Sequence, residues 1–513
     1  MAKEYLSEFL PDLEEFREKT MEFHEKEISV AEYKAFSGGF GSYAERGGAT
    51  HMLRLRMAGG QLTKERLKFI VETCDKYKIE KMKLTTCQSV QLHHLKPEDL
   101  YEMMAAAWKA GMISRGGGGD FPRNVMASPL SGVQREEYFD VLPFAQAAGD
   151  YMMGFIKAVK FPRKLKVGFS NSPANETHVT FRDLGFAATP EGTFDVYAAG
   201  GLGIKPKLGV CVAKGISPNK TLYYIKAMVN TFITHGDYKN RGRARTRYLQ
   251  DTLGQEGLVK AYQEKLDEVL ATEHLDLDMA VPVLSKTGCG TAIEDKRIIP
   301  QKQEGLYAVF YQPAGGIFTP AKARKLYHLI KNMDDVEIRL TPDEGLYVIN
   351  CNAEEAKQVL DETADGANTL FETSVACIGN AVCQVGLRDS QALLHDCIEA
   401  VRKENFADGV LPKIHISGCP SSCGTHQTAD IGLRGAVKQT PDGPKPAFAI
   451  FVGGCEWQGK EAIADTDKTI AIEDIPHFFV ELGKIISSEN MTYEEWAASD
   501  KKCLDDLIEK YAG

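Results

Sequence analysis

The chain has 513 residues, of which 43% are hydrophobic and 26% charged, with a formal net charge of −10. This composition is typical of a globular protein large enough for two or more domains, and the acidic balance does not indicate nucleic acid as a partner. No run of about 18 apolar residues exists and the N-terminus lacks a signal peptide's apolar core, so we expect no membrane span and a cytoplasmic, reducing location.

The first regular pattern is an alternation in "HMLRLRMAGG". Leu53, Leu55 and Met57 share one face of a predicted strand, and Arg54 and Arg56 share the other. Taken alone, such a pair of charges is typical of a solvated strand face. A helix is expected next in "LTKERLKFIVETC", because Thr63 is a good N-cap and apolar residues follow it at helical spacing.

The middle of the chain carries three basic segments. Four consecutive glycines are followed by "DFPRN", which contains Arg123 and Asn124. A glycine-rich turn lets the backbone approach a bulky ligand. "FPRKLKVGFS" then places Lys164 and Lys166 on one face. The third segment, "NRGRARTRYL", is either a solvated helix face or a docking surface for an acidic partner.

Two long stretches of the sequence recur about 250 residues later. "LRLRMAGGQLTKERLKFIVETC" matches "VFYQPAGGIFTPAKARKLYHLI", 256 residues on (314 − 58). "LKVGFSNSPANETHVTFRDLG" matches "PKIHISGCPSSCGTHQTADIG", 247 residues on (420 − 173). In the second match Ser172 and Glu176 occupy the places of Cys419 and Cys423. We therefore predict a pseudo-two-fold duplication in which one half kept thiols and the other did not.

Four cysteines near the C-terminal end form a C-x5-C … C-x3-C set, namely Cys377, Cys383, Cys419 and Cys423. Four thiolates suit either zinc or an iron–sulfur cluster. Structural zinc usually has two to four residues between paired ligands, so the five-residue spacing is long for it. A cluster tolerates wider spacing, but a structural zinc protein that binds an anionic ligand remains an alternative.

The segments "CIGNAVC" and "SGCPSSCG…ADIG" resemble the signature of the siroheme-dependent sulfite and nitrite reductases of the ferredoxin type. The resemblance implies that the four cysteines hold a [4Fe-4S] cluster and that Cys423 also bridges to the siroheme iron. It implies an α+β fold of two ferredoxin-like halves and two α/β domains that bind siroheme and cluster. The expected division is an N-terminal arm (1–50), ferredoxin-like halves (51–110 and 307–360), a first siroheme-binding domain (111–300), a cluster domain (361–490) and a C-terminal helix (491–513).

The same resemblance assigns further site residues. Those expected to neutralise the substrate's oxygens are Arg54, Arg56, Arg123, Lys164 and Lys166. Those expected to hold siroheme are Thr85, Gln88, Asn124, Asn240, Arg241, Arg245 and Cys423. One position departs from the family pattern, because Cys87 stands where an arginine usually precedes the glutamine.

The implied reaction is the six-electron reduction of sulfite to sulfide, with nitrite reduction to ammonia as the alternative. In the family, lysine at both of the positions of Lys164 and Lys166 favours sulfite. The segment "CIGN" around Cys377 is more typical of nitrite reductases. We expect sulfite. Because no flavin domain, dinucleotide fingerprint or separate ferredoxin motif is visible, a ferredoxin or a flavoprotein must supply the electrons.

Overall fold

The computed structural model describes residues 5–279, 284–288, 292–499 and 501–513. Its first segment is helical, and a capping box at Ser29 and Glu32 begins the third helix. None of the helices in the described ranges is long and apolar enough to cross a membrane. The helices of this segment are α1 (Leu6–Phe9), α2 (Asp12–His24) and α3 (Val30–Ser37).

The first ferredoxin-like half contains an antiparallel four-stranded sheet in the order β1-β2-β5-β4, where the labels follow the chain. The predicted N-cap is confirmed, since the Thr63 hydroxyl accepts a hydrogen bond from the Arg66 N–H. The elements are β1 (Ser42–Ala44), β2 (His51–Leu55), β3 (Gln61–Leu62), α4 (Lys64–Tyr77), β4 (Met82–Leu84), β5 (Val90–Leu95) and α5 (Leu100–Lys109).

The next part of the chain forms a five-stranded mixed sheet in the order β10-β9-β8-β7-β6. Strands β6, β7 and β8 run parallel, and the remaining pairs are antiparallel. The elements are β6 (Met126–Ala127), α6 (Leu142–Met153), α7 (Phe155–Ala158), β7 (Val167–Ser170), β8 (Leu184–Ala188), β9 (Phe194–Ala198), β10 (Val210–Ile216), α8 (Thr221–His235) and α9 (Leu249–Thr272).

The second ferredoxin-like half has a sheet in the order β11-β12-β14-β13-β3, so β3 of the first half completes it. Thr319 caps its first helix as Thr63 caps α4, by accepting from the Lys322 N–H. The elements are β11 (Ile298–Pro300), β12 (Tyr307–Tyr311), α10 (Pro320–Ile330), β13 (Glu337–Leu340), β14 (Leu346–Cys351) and α11 (Ala353–Glu362).

The last part repeats the mixed sheet in the order β15-β16-β17-β18-β19. The described residues of the segment 491–513, expected as one helix, form two separate helices. The elements are β15 (Val375–Ala376), α12 (Ser390–Arg402), β16 (Ile414–Ser417), β17 (Ile431–Thr440), β18 (Gly443–Val452), β19 (Asp465–Ala471), α13 (Ile475–Ser488), α14 (Tyr493–Ser499) and α15 (Lys501–Ala512).

The register of the two mixed sheets confirms the predicted duplication. Val167 lies opposite Leu184 in the first sheet, and Ile414 lies opposite Ile431 in the second, both 247 residues later. One hydrophobic core serves the N-terminal helices and both ferredoxin-like halves, while each mixed sheet has its own core. The chain is therefore an α+β protein with internal pseudo-two-fold symmetry. The exact boundaries of the expected domains stay a prediction.

Candidate functional site

The four motif cysteines lie on two loops that leave neighbouring parallel strands. Cys377 directly follows β15, and Cys419 lies two residues after β16. Because these strands pair in parallel, with Ala376 opposite Ile416, both loops begin at the same edge of the sheet. The Gly418 N–H donates to the Cys377 Sγ at 3.2 Å, which ties one loop to a thiol of the other.

Backbone bonds hold the two cysteine loops together. The N–H groups of Leu387 and Arg388 both donate to the Gly418 carbonyl at 3.0 Å. The Gly424 N–H donates to the Ser417 hydroxyl at 3.0 Å, which closes the turn that carries Cys423. The loops therefore form one framework, and the positions of the thiols are set by the ends of β15 and β16.

The charges of the other three motif thiols act on Cys423, so the four side chains lie near one another. Desolvation raises the pKa of Cys423 to about 12, the charge on Cys377 adds to the rise, Lys164 opposes it, and Cys419 and Cys383 raise it further. The Cys423 side chain is nevertheless accessible to solvent. A side chain that is both accessible and surrounded by protein lies in a recess, where a ligand can reach it.

The chemistry of the four thiols suits either one metal ion or an iron–sulfur cluster. Throughout the residues with described positions, no three His, Cys, Asp or Glu side chains are placed to hold one ion. A structural zinc site needs four ligands about 2.0–2.3 Å from the same ion. A cubane cluster puts several iron atoms between its thiolates and so holds them further apart. The four cysteines supply the thiolate ligands that a [4Fe-4S] cluster requires.

Three of the basic residues predicted to contact the substrate hydrogen-bond to the backbone of the glycine-rich loop. Arg54 donates to the Gly117 carbonyl at 2.6 Å, and Arg56 donates to the carbonyls of Arg115 and Arg123 at 2.7 and 2.9 Å. Arg123 donates to two carbonyls of the same loop, both at 2.8 Å. Desolvation and then the charge of Arg123 lower the pKa of Arg56 to about 9. Arg56 is only 7% exposed, and both of its terminal nitrogens are engaged by backbone carbonyls.

Lys164 and Lys166 lie half-buried on the side of the recess that holds Cys423. Lys166 Nζ lies 3.3 Å from the Cys87 Sγ. Desolvation, then the charges of Arg245 and Arg123, lower the pKa of Lys164 well below its ordinary value. A buried ammonium among like charges is energetically costly, and an anion placed between them would lower that cost.

Cys87 takes part in the same electrostatic environment. Burial by itself would raise the pKa of Cys87, but Lys166, Arg182 and Arg54 together outweigh it and lower that pKa to about 6. Arg182 is 6% exposed and anchors its guanidinium on the Thr177 carbonyl at 2.8 Å. The thiol therefore lies within a group of cations and not in an apolar core.

The arginine-rich segment divides into a buried and an exposed part. Arg245 donates to both carboxylate oxygens of the fully buried Asp183 at 3.0 Å. Arg241 is 65% exposed and forms an ion pair with Asp120, and Asn240 caps the short turn that follows it. The structure therefore brings Arg245 close to the lysines, whereas the expected siroheme contacts Asn240 and Arg241 lie at the surface with their polar groups engaged elsewhere.

The other three expected siroheme contacts belong to the framework. The Gln88 amide is completely buried and donates to the carbonyls of Ala127 and Leu340 at 2.8 Å. The Asn124 amide donates to the Met57 carbonyl at 2.8 Å and to two further carbonyls. The Thr85 hydroxyl accepts bonds from the turn that follows it. Gln88 and Asn124 therefore join segments of different sheets, whereas the half-exposed Thr85 holds only its own turn.

We define the cation cluster as the set of basic side chains that surround Cys423 and Cys87. Its members are Arg54, Arg123, Lys164, Lys166, Arg182, Arg245 and Arg247. Nε of Arg123, Nε of Arg245 and two nitrogens of Arg247 are buried without a hydrogen-bond partner. Unsatisfied buried donors are costly, so this arrangement is typical of a site for a polyanion. It fits siroheme, a tetrapyrrole rich in carboxylates.

The sequence analysis did not assign Arg182, Arg247 or Cys87 to the site. Arg182 precedes the repeated Asp183, and the second copy has Ala429 at the matching position. A charged residue present in one copy and replaced by alanine in the other could have indicated a role specific to the first copy. The pairing of Cys87 with Lys166 joins positions 79 residues apart and left no local signal.

Two family profiles together match most of the chain. The profile described as "Nitrite and sulphite reductase 4Fe-4S domain" matches residues 118–270 and 370–482. The profile described as "Nitrite/Sulfite reductase ferredoxin-like half domain" matches residues 43–109 and 299–366. Each profile matches twice, once in each copy of the repeat, and the matches follow the order of the sheets described above.

Individual proteins resemble the chain over most of its length. The assimilatory ferredoxin-dependent nitrite reductase of Haloferax mediterranei is 24% identical, over 88% of this chain and 82% of its own. The ferredoxin–nitrite reductase of Synechococcus elongatus is 26% identical, over 83% and 84%. The structure of the Mycobacterium tuberculosis NirA protein shares the fold, with a TM-score of 0.73, 20% identity, and coverage of 88% and 86%. The chain belongs to the nitrite and sulphite reductase family, oxidoreductases whose cofactors are siroheme and a [4Fe-4S] cluster.

Proposed function

We propose that the protein reduces nitrite to ammonia with six electrons supplied by ferredoxin. The observation that carries the proposal is the cation cluster around Cys423, which is one of four thiols on two adjoining loops. Nitrite is preferred to sulfite because the similar proteins named above are ferredoxin-dependent nitrite reductases. The sequence alone favoured sulfite, and the comparisons favour the alternative instead.

The residues present would hold both cofactors. Cys377, Cys383, Cys419 and Cys423 would bind the [4Fe-4S] cluster, and Cys423 would also be its link to siroheme. Arg245 and Arg247 would meet carboxylates of siroheme, because their buried N–H groups lack partners in the protein. When bound, siroheme supplies the iron at which the substrate nitrogen is reduced.

The chain's own contribution is charge, position and protons. Lys164, Lys166 and Arg123 would neutralise the nitrite oxygens, and a preorganised cation in a poorly solvated site stabilises a developing negative charge without reorganisation. Lys164 is suited to give up a proton, since its pKa lies well below the ordinary value because of desolvation and the charges of Arg245 and Arg123. The framework bonds of Arg56, Gln88 and Asn124 would keep these groups in place.

A second candidate function is sulfite reduction in the same recess. The presence of lysine at both Lys164 and Lys166 favours it, because a dianion gains more from an additional cation than a monoanion does. The donor in either case is a separate protein, and the names of the related reductases support ferredoxin. A cytoplasmic location stays a prediction from the sequence.

Substrate competition in the purified holoenzyme tests the proposal. We expect kcat/KM for nitrite to exceed that for sulfite when the same artificial reductant and the same siroheme content are used. Reduced ferredoxin should support turnover as well. A higher kcat/KM for sulfite would overturn the proposed substrate, and a colourless protein without iron would overturn the cofactor assignment itself.

A further inference from the structure

Cys87 occupies a turn between β4 and β5 that faces the cation cluster. Its sulfur lies 3.3 Å from Lys166 Nζ, within hydrogen-bonding distance for sulfur. Arg182 and Arg54 also act on it, and it acts in turn on Arg123. The groups that face the thiol therefore come from β2, from the segment before β7, from the loop before β8 and from the glycine-rich loop.

The surroundings of Cys87 favour its ionised form. Desolvation opposes ionisation, yet the three cations lower the pKa of Cys87 to about 6. Cys211 is a useful contrast, because desolvation and the charge of Asp195 raise the pKa of that half-buried thiol. The pKa values of the two thiols are thus shifted in opposite directions, although both cysteines are half-buried.

Ionised Cys87 changes what Lys166 presents to a ligand. The largest influence on Lys166 is the charge of Cys87, which favours the ammonium form, while desolvation and Arg182 act in the opposite direction. A thiolate and an ammonium in contact form a pair with no net charge. Lys166 can still donate a hydrogen bond, but the recess as a whole carries one positive charge fewer.

We propose that Cys87 is a specificity-determining residue, a thiolate whose pairing with Lys166 lowers the positive charge of the recess and so favours monoanionic nitrite over dianionic sulfite. This inference rests on the proposed function and deepens it. The electrostatic energy of a ligand scales with its charge, so a lost unit of positive charge weakens binding of a dianion about twice as much as binding of a monoanion. The lysines at Lys164 and Lys166, which by themselves favour sulfite, are then compatible with the similarity of the chain to nitrite reductases.

Three variants of the holoenzyme separate charge from packing. Cys87→Ser keeps the size and the hydrogen bond but removes the negative charge, and Cys87→Asp restores that charge. Cys211→Ser removes a thiol that lies outside the cation cluster. For each protein we measure the ratio of kcat/KM for sulfite to kcat/KM for nitrite. The dissociation constants of both anions are measured by titrating the oxidised enzyme and following its visible spectrum. Both measurements use a mildly alkaline pH at which sulfite is a dianion.

We expect Cys87→Ser to raise the preference for sulfite over nitrite by about tenfold or more, both in kcat/KM and in binding affinity. Cys87→Asp should return both preferences towards those of the unsubstituted enzyme. Cys211→Ser should leave them unchanged. Equal shifts in the Ser and Asp variants would show a packing effect and overturn the proposal, as would the absence of a shift in Cys87→Ser. If the unsubstituted enzyme prefers sulfite, the proposed function fails, but the shifts between variants still decide the role of Cys87.

Discussion

Lys164 shows at the scale of one residue how the fold maintains a reactive cation. It is half-buried, and no hydrogen bond or ion pair to it is found among the described residues. Desolvation, Arg245 and Arg123 all disfavour its charge. A bound anion would therefore stabilise the ammonium of Lys164, which is the behaviour expected of a group that binds and protonates a substrate oxygen.

Replacing this lysine should affect both rate and pH dependence. Lys164→Gln should lower kcat/KM for nitrite by on the order of a hundredfold, the usual cost of removing one preorganised donor. Because the pKa of Lys164 is lowered by desolvation and by Arg245, the protonated fraction falls as pH rises through that lowered value. The kcat/KM of the unsubstituted enzyme should therefore decline on the alkaline side well below the pH at which an ordinary lysine titrates.

The pH profile of the variant provides the check. Lys164→Gln should lack that alkaline decline, and Lys160→Gln, at an exposed lysine four residues earlier, should retain both rate and profile. A decline at the same pH in Lys164→Gln would assign the titration to another group.

Two equivalent glycines reveal the constraint on the cysteine loop at the scale of one element. Gly432 is the second residue of β17, and Gly185 is the second residue of β8, 247 residues earlier. A Cβ at Gly432 would lie 1.8 Å from the His426 carbonyl oxygen, and one at Gly185 would lie 2.0 Å from that of Val179. In both copies the loop returns so close to its strand that a side chain cannot fit.

The pair gives a matched test of which loop holds the cluster. Gly432→Ala and Gly185→Ala should each cost about 1–3 kcal/mol of stability, the usual effect of overpacking. Only Gly432→Ala displaces the loop with Cys419 and Cys423, so only this variant should lose most of its cluster iron. The measurement is iron content with the visible spectrum of both purified proteins. Equal iron loss would show that the cluster responds to general destabilisation and not to its own loop.

Helix α4 and its threonine cap could be predicted because they depend on residues close together in the chain. Periodicity and an N-cap determine α4 and, in the second copy, α10, and the repeated order of the matching stretches revealed the duplication. The direction of a polar side chain could not be predicted in the same way. A glutamine or asparagine in a motif can face a ligand or the backbone, and Gln88 and Asn124 face the backbone. The partnership of Cys87 and Lys166 depends on tertiary contacts that no local pattern carries.

At the scale of the whole molecule, the duplication left a carboxylate where the second copy has a cysteine. Glu176 takes the place of Cys423 and lies near Asp343 and Glu456, which belong to the later half of the chain. Desolvation, then Asp343 and Glu456, raise the pKa of Glu176 to about 7, and Lys413 offsets only part of this effect. Carboxylates from both halves of the chain therefore meet at one half-buried point.

The ionisation of Glu176 makes the free energy of unfolding depend on pH. The pKa of Glu176 in the folded protein, raised by desolvation to about 7, lies above its ordinary value of 4.5, so the native state binds more protons between these values and loses stability as pH rises through them. Glu176→Gln should therefore raise the free energy of unfolding at pH 8 by at most about 3 kcal/mol, and change it little near pH 4.5. Urea unfolding at the two pH values measures the difference, and an equal effect at both would rule out the ionisation of Glu176 as its cause.

The reaction itself is tested most directly by electron counting. The purified enzyme, supplied with reduced ferredoxin and a limiting amount of nitrite, should oxidise six equivalents of ferredoxin and form one ammonium for each nitrite consumed. Both quantities follow from one anaerobic titration that monitors ferredoxin absorbance and ends with an ammonium assay. Consumption of a single electron per nitrite, or ferredoxin oxidation with sulfite but none with nitrite, would contradict the proposed reduction of nitrite to ammonia.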